Sequence, residues 1–137
     1  MSFVSYSPIS RGFLGGKVTH PEVFSQSEEF DFRTQIPQFE EENFKHNLSF
    51  VEALTAISKK KGCTPAQLSL AWLLAEGDDI IPIPGTSKVE HLKENAEAAN
   101  IILTQDDLNA LENTYQENPQ RGLRFPEEML SLWGAKF

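Results

Sequence analysis

The residues with the clearest chemical meaning lie together at Gly85-Thr86-Ser87-Lys88 and on the helix expected to follow, at His91, Glu94 and Asn95. A helix N-terminus presents unpaired amides and a partial positive charge. Gly85 lets the backbone approach a ligand closely, and Thr86, Ser87 and Lys88 add donors at the same point, so the segment is built to take an anion. Many capped helices after a strand bind nothing, and the segment alone does not decide the matter. One turn further on, His91, Glu94 and Asn95 are three and four apart and share one helix face. An imidazole can stack on a base, while a carboxylate and an amide can meet an exocyclic amine, which would suit a purine nucleotide.

These residues need a strand before them and a helix under them. Ile80-Ile81-Pro82-Ile83-Pro84 reads as a short strand, limited by the ladder donor that Pro82 removes. Ser87 and Glu90 have the spacing of a capping box, so a helix is expected from Ser87 to about Ala99. Upstream, Phe3 to Ser7 predicts a buried strand closed by Pro8. The stretch from there to about Glu42, broken by Gly12, Gly15, Gly16, Pro21 and Pro37, predicts a long connection without regular structure. Phe44, Leu48, Val51, Leu54 and Ile57 then recur at helical spacing up to Gly62, with Glu40, Glu41 and Glu42 suited to the helix start and Lys59, Lys60 and Lys61 to its end. Thr64-Pro65 opens another helix through Leu68, Leu70, Trp72 and Leu73 to Gly77. Thr104 to Asp107 repeats such a start before Leu108 and Leu111, and a last helical turn is expected around Glu127 to Trp133.

Composition excludes several classes of function. The 137 residues suffice for one core, and no apolar run approaches the roughly 18 to 20 residues of a membrane span. A net charge of −8 repels a phosphate backbone, so no nucleic-acid partner is expected. Met1 to Val4 lack the marks of a secretory signal. The single Cys63 allows no internal disulfide, and the cytoplasm, with access to the nucleus, is the expected location. Cys63 itself reads as an inert spacer, and His20 and His46 as solvated surface residues, because none has partners at metal-ligand spacing. Phe24, Phe30 and Phe32 read as core or loop contacts.

Three segments together resemble one family. Ile80-Ile-Pro-Ile-Pro-Gly-Thr-Ser-Lys-Val-Glu-His-Leu-Lys-Glu-Asn95 is similar to the eighth strand and following helix of the aldo-keto reductases, where this loop holds the 2'-phosphate and adenine of NADPH. Tyr6-Ser-Pro-Ile-Ser-Arg-Gly-Phe-Leu-Gly-Gly-Lys17 is similar to the seventh strand and its loop. Between them, Cys63-Thr-Pro-Ala-Gln-Leu-Ser-Leu-Ala-Trp-Leu-Leu74 resembles a helix that the family carries at this place.

The resemblance implies an α/β fold: residues 1–137 would form the C-terminal part of the reductase domain. This is a partial (β/α)8 barrel made of the last two βα units and the C-terminal helices. It implies Tyr6 as a platform under the nicotinamide, with Ser7, Pro8, Ile9 and Lys17 along the pyrophosphate and Arg33 reaching it. Gly85, Thr86, Ser87, Lys88 and His91 would surround the ribose 2'-phosphate, and Glu94 and Asn95 would face the adenine. Many members carry Arg or Lys where this chain has Ser87 or His91, so the preference for NADPH over NADH rests on a single lysine and two hydroxyls. The Gly85 to Lys88 loop and the Ser10 to Leu14 segment look most like the pyridoxal reductases of yeasts, which reduce the aldehyde of pyridoxal to pyridoxine.

The family's reaction also needs a tyrosine tuned by a lysine and an aspartate and assisted by a histidine. All four belong to the first half of the barrel and match nothing here: Tyr6 takes the stacking position, and Tyr115 falls in the final helix, away from the site. A closed barrel needs about 250 residues and eight strands, and only two strand candidates are present. Reduction of an aldehyde such as pyridoxal is therefore expected only of a completed barrel. The unpaired strand edges would favour self-association. The alternatives are a non-catalytic NADPH-binding or assembly module, and a truncated product without function.

Overall fold

The computed structural model describes residues 1–26 and 29–134. Three helices form its supporting layer: α1 (Glu41–Lys61), α2 (Pro65–Ala75) and α4 (Gln105–Glu117). Helix α1 buries Phe44, Val51 and Leu54, the face that the apolar spacing predicts. It stops at Gly62, which takes the left-handed conformation at φ 75° and donates its amide to the carbonyls of Lys59 and Ser58. Helix α2 opens on a closed capping box. The Thr64 hydroxyl accepts from the Gln67 amide at 3.2 Å, and the Gln67 side chain accepts from the Thr64 amide at 3.1 Å. Ala66 through Ala71 are all buried, so α2 is the central helix of the layer. It ends at Ala75, two residues short of Gly77. Thr104 and Asp107 close the equivalent box on α4, whose Leu111 packs with Leu54 and Leu68.

The long connection is not structureless. It folds into short 3-10 turns at Ser10–Gly15, Pro21–Phe24, Phe32–Gln35 and Pro37–Phe39. Pro21 and Pro37 sit at first-turn positions, where a missing amide costs nothing. These turns deliver Phe13, Phe24, Ile36 and Phe39 into one cluster with Phe44 and Val51 of α1. Ring centroids lie 5.0 Å apart for Phe13 and Phe44 and 5.1 Å for Phe24 and Phe39, in the tilted and edge-on contacts that aromatic quadrupoles favour. The glycines and prolines forbid a long regular element, but the aromatic spacing builds a core without one. Phe24 is buried, Phe32 is half-buried against this cluster and Phe30 is exposed.

Strands β1 (Phe3–Tyr6) and β2 (Ile80–Ile83) pair in parallel, Phe3 opposite Ile80 and Tyr6 opposite Ile83. The expectation of a buried first strand fails for most of its length. Ser5 is buried, whereas Phe3, Val4 and Tyr6 are exposed. Helix α2 packs against β2, and among the described residues no third strand flanks the sheet.

Helix α3 (Val89–Glu97) follows β2, and α5 (Glu127–Leu132) forms the short helix expected near the C-terminus. The tail between α4 and α5 is pinned by Asn47, a buried polar residue of α1. Its amide accepts from the Arg121 amide at 2.8 Å and donates to the Arg121 carbonyl at 2.9 Å. Gly122, at φ 81°, allows the closest approach: a Cβ there would lie 2.7 Å from the Pro37 carbonyl. Among the described residues no helix is long and apolar enough to cross a membrane.

Candidate functional site

In a parallel sheet both strands end on the same side, so the residues after Tyr6 and those after Ile83 emerge together. Ligands of open α/β sheets bind at this edge. A cleft of about 420 Å3 lies there. One wall is the turn after β1, with Tyr6, Ser7, Pro8, Ile9 and Lys17; the other is Gly85 and Thr86, with His91, Glu94 and Asn95 from α3. Two segments nearly eighty residues apart in the chain are thus brought to one place.

The turn is tightly wound. Ser7, Ser10 and Arg11 have φ of 50°, 46° and 55°, a left-handed conformation that costs side-chain-bearing residues energy. Hydrogen bonds from Ser10 to the Ser7 carbonyl at 2.9 Å and from Gly12 to the Ile9 carbonyl at 3.0 Å hold it. Arg33 buttresses it from behind rather than lining the cleft. Its guanidinium grips both carboxylate oxygens of Asp31, stacks 4.3 Å from the centre of the Phe24 ring and donates to the Arg11 carbonyl at 3.2 Å. The Arg33 side chain holds the Asp31 carboxyl below its ordinary range.

The expected capping box at Ser87 does not form. Helix α3 opens at Val89 with Lys88 flanking it, and no side chain caps its first turn. The reason is local: the Thr86 hydroxyl accepts from the Lys88 amide at 3.1 Å, which winds the loop one residue further before the helix begins. The first amides of α3 have no partner within the helix and no cap. Ser87 and Lys88 are exposed and lie outside the cleft wall, unlike Gly85 and Thr86. A Cβ at Gly85 would meet nothing within 4 Å, so the space beside the loop is open.

Glu94 is tied down on one side. Its Oε1 accepts from the Thr64 hydroxyl at 2.5 Å, and its carbonyl accepts from the Gln67 side chain at 3.0 Å. The cap of α2 therefore also fixes the cleft face of α3. Lys17, Thr86 and His91, together with the uncapped helix start, form a donor set that fits a phosphate. Among the described residues no cluster of three or more His, Cys, Asp or Glu could hold a metal ion.

Arg11 and Gly12 line the cleft without having been singled out from the sequence, although both stand inside the Tyr6 to Lys17 segment. The Arg11 guanidinium lies 4.6 Å from the centre of the Phe125 ring, and its Nη2 is buried without a hydrogen-bond partner. Burial lowers its pKa, the nearby Tyr6 hydroxyl opposes that effect and the positive charge of Arg124 adds to it. Arg124 donates to the Tyr6 carbonyl at 3.3 Å. Tyr6, Ser7 and Pro8 also border a second, apolar cavity of about 460 Å3, walled by Phe50, Leu54, Trp72 and Leu111.

Tyr115 lies in α4, not the last helix, and faces this second cavity with its ring edge-on to Phe50. Burial pushes the Cys63 thiol up, opposite to what a reactive thiolate needs. His46 is half-buried rather than a solvated surface residue, and its Nε2 lies 2.9 Å from the Pro119 carbonyl and helps to pin the tail.

Comparison with known proteins gives this geometry its context. The model of the aldo/keto reductase family matches residues 1–116. Over 126 residues, 92% of the chain, it is 40% identical to aldo-keto reductase yakc of Schizosaccharomyces pombe, whose name specifies NADP(+). Over 124 residues, 90% of the chain, it is 41% identical to aldo-keto reductase str7 of Strobilurus tenacellus. Each match covers 36% of the relative, so the chain spans about a third of the length of these curated relatives. The match extends through both walls of the cleft and the helices beneath it, and the chain belongs to the aldo/keto reductase family.

Proposed function

We propose that this chain is the cofactor-gripping part of an NADPH-dependent aldo-keto reductase. Its two βα units and C-terminal helices would be the last portion of a (β/α)8 barrel. The observation that carries the reading is the convergence of Lys17, Thr86 and His91 in one cleft at the ends of two parallel strands, beside the uncapped start of α3. The S. pombe relative, named for NADP(+), supports the same choice of cofactor.

When bound, NADPH supplies the hydride that reduces a carbonyl. The chain's own residues hold it. Tyr6 offers a flat platform for the nicotinamide, and Ser7, Pro8, Ile9 and Lys17 follow the pyrophosphate. Gly85, Thr86 and His91 meet the 2'-phosphate, with Ser87 and Lys88 beside them, and Asn95 and the free oxygen of Glu94 meet the adenine. Arg33 serves the cofactor by holding the turn in shape. The proton donor and its partners belong to the strands that complete the barrel.

The similarity of the Gly85 to Lys88 and Ser10 to Leu14 segments to pyridoxal reductases supports an aldehyde such as pyridoxal as substrate. A cytoplasmic location agrees with the single, unpaired cysteine. A second reading, a module that binds NADPH without catalysis, is favoured by the cleft itself. Among its described lining residues only Tyr6 is a phenol, and that residue is assigned to stacking. Exposed Phe3 and Val4 on β1 would then serve as an edge for assembly with strands from another chain or a second copy.

NADPH titration followed by its fluorescence tests the shared core of both readings. Saturable binding that favours NADPH over NADH, weakened by Lys17→Ala and His91→Ala, is the expected result. No change up to millimolar NADPH would remove both. Hydride transfer to pyridoxal only after strands from a full-length relative are supplied would separate the enzyme from the module.

A further inference from the structure

Two arginines flank Tyr6, which borders both the cleft and the apolar cavity. Arg11 reaches it from the strained turn, and Arg124 from the tail, where it donates to the Tyr6 carbonyl. Neither forms an ion pair among the described residues. The acidic residue of the neighbouring cavity wall, Glu112, accepts a hydrogen bond from Gln116 instead. The Arg11 guanidinium is clamped over Phe125, and its Nη2 is buried with nothing to donate to.

Leaving such a donor unsatisfied costs about 1–3 kcal/mol, more for a charged group. Placing two like charges together adds to that cost. The left-handed Arg11 backbone is a third cost, and it is held in place by the Arg33–Asp31 pair. Structural economy would replace Arg11 with a neutral residue. The first two penalties, the unpaired donor and the neighbouring like charge, are the ones an anion relieves, while the strained backbone holds Arg11 at this point.

We infer that Arg11 and Arg124 form an anion subsite beside Tyr6 that receives the carboxylate or phosphate of an acidic aldehyde substrate. The inference deepens the reductase reading and rests on it for the aldehyde. Arg11 borders the cleft, Arg124 borders the apolar cavity, and Tyr6 borders both. An anion held there leaves the apolar body of its carrier against the cavity wall and its carbonyl near the stacking platform.

The test uses the full chain, saturated with NADPH where it binds, and three probes read by calorimetry: 4-carboxybenzaldehyde, 4-formylphenyl phosphate and the neutral methyl 4-formylbenzoate. At least one acidic probe should bind about tenfold tighter than the ester, as one charge-assisted hydrogen bond implies. The tighter of the two identifies the anion. Arg124→Gln, at an exposed position, should abolish that preference while leaving NADPH affinity unchanged; Arg11→Lys should reduce it, since an ammonium lacks the planar fork. Equal binding of acid and ester by the wild type would overturn the inference. So would an Arg124→Gln variant that loses NADPH affinity along with the acidic probe, because the arginines would then serve the cofactor. Failure of the NADPH titration with the acid preference intact would instead remove the cofactor reading alone.

Discussion

The helical layer and the cleft obey opposite rules. In the layer, α2 and α4 each open on a closed capping box, α1 ends on a glycine in the left-handed conformation, and apolar faces are buried as their spacing predicts. In the cleft, α3 opens without a cap, three side-chain-bearing residues hold positive φ, and Arg11 keeps a buried donor unpaired. The two regions touch at Thr64, which caps α2 and grips Glu94 of α3. Local satisfaction marks the scaffold, and its absence marks the place reserved for a ligand.

The comparison is broken most forcefully on the scaffold side. Phe44 is fully buried among Phe13, Phe24 and Phe39, and Phe44→Ala should lower unfolding free energy by about 3–5 kcal/mol, read from urea denaturation. Cleft variants such as Lys17→Ala should leave the same denaturation midpoint nearly unmoved. Equal effects from both would erase the distinction.

Thr64 tests the junction. Thr64→Val should cost about 1 kcal/mol through loss of the α2 cap, and it should also weaken NADPH binding by releasing Glu94. Thr64→Ser restores the hydroxyl and should recover both. Recovery of stability without recovery of binding would show that the Glu94 contact does not shape the cleft.

A smaller effect should run with opposite signs. Lys88→Asp supplies the missing cap of α3 and should raise stability by about 1 kcal/mol. The same carboxylate would occupy the helix start and repel a phosphate, so NADPH affinity should fall. A gain in both would contradict the reading of the uncapped start as a ligand site.

The smallest expected effect is an acid-dependent one at the scaffold. Lys61 donates to Asp107, and with the Thr104 amide and hydroxyl it lowers the Asp107 pKa from 3.8 to about 2. A depressed carboxyl contributes stability that is complete above its unfolded pKa and lost as pH falls toward its folded one. The contribution should therefore fade between about pH 4 and pH 2. Asp107→Asn should flatten that part of the stability profile, and an unchanged slope would place the acid sensitivity elsewhere.

Much of the scaffold was legible in the sequence because its signals are local. Thr64-Pro65, Thr104 with Asp107 and the stop at Gly62 act within one helical turn, and the structure places each where its spacing predicts. The Ser87 box shares that spacing and does not form, because the turn closed by the Thr86 hydroxyl on the Lys88 amide puts Lys88 rather than Ser87 at the helix start. The connection before α1 is ordered despite a pattern that excludes regular structure. Its glycines and prolines exclude regular hydrogen bonding, but they do not prevent Phe13, Phe24 and Phe39 from packing on α1.

The sequence by itself determined the helices, the caps of α2 and α4, the stop of α1, the two strands and a pair of donor-rich loops. Tertiary structure alone decided that the loops share one cleft, because that depends on the parallel register of Phe3 with Ile80. It also set Arg33 behind the turn and left the Arg11 Nη2 without a partner within it. Caps and amphipathic faces are settled between neighbours a few residues apart. Asp31 pairs with Arg33 from two residues away, but the reach of Arg33 to the Arg11 carbonyl and the seat of Arg11 over Phe125 are settled by distant segments that only the fold brings together.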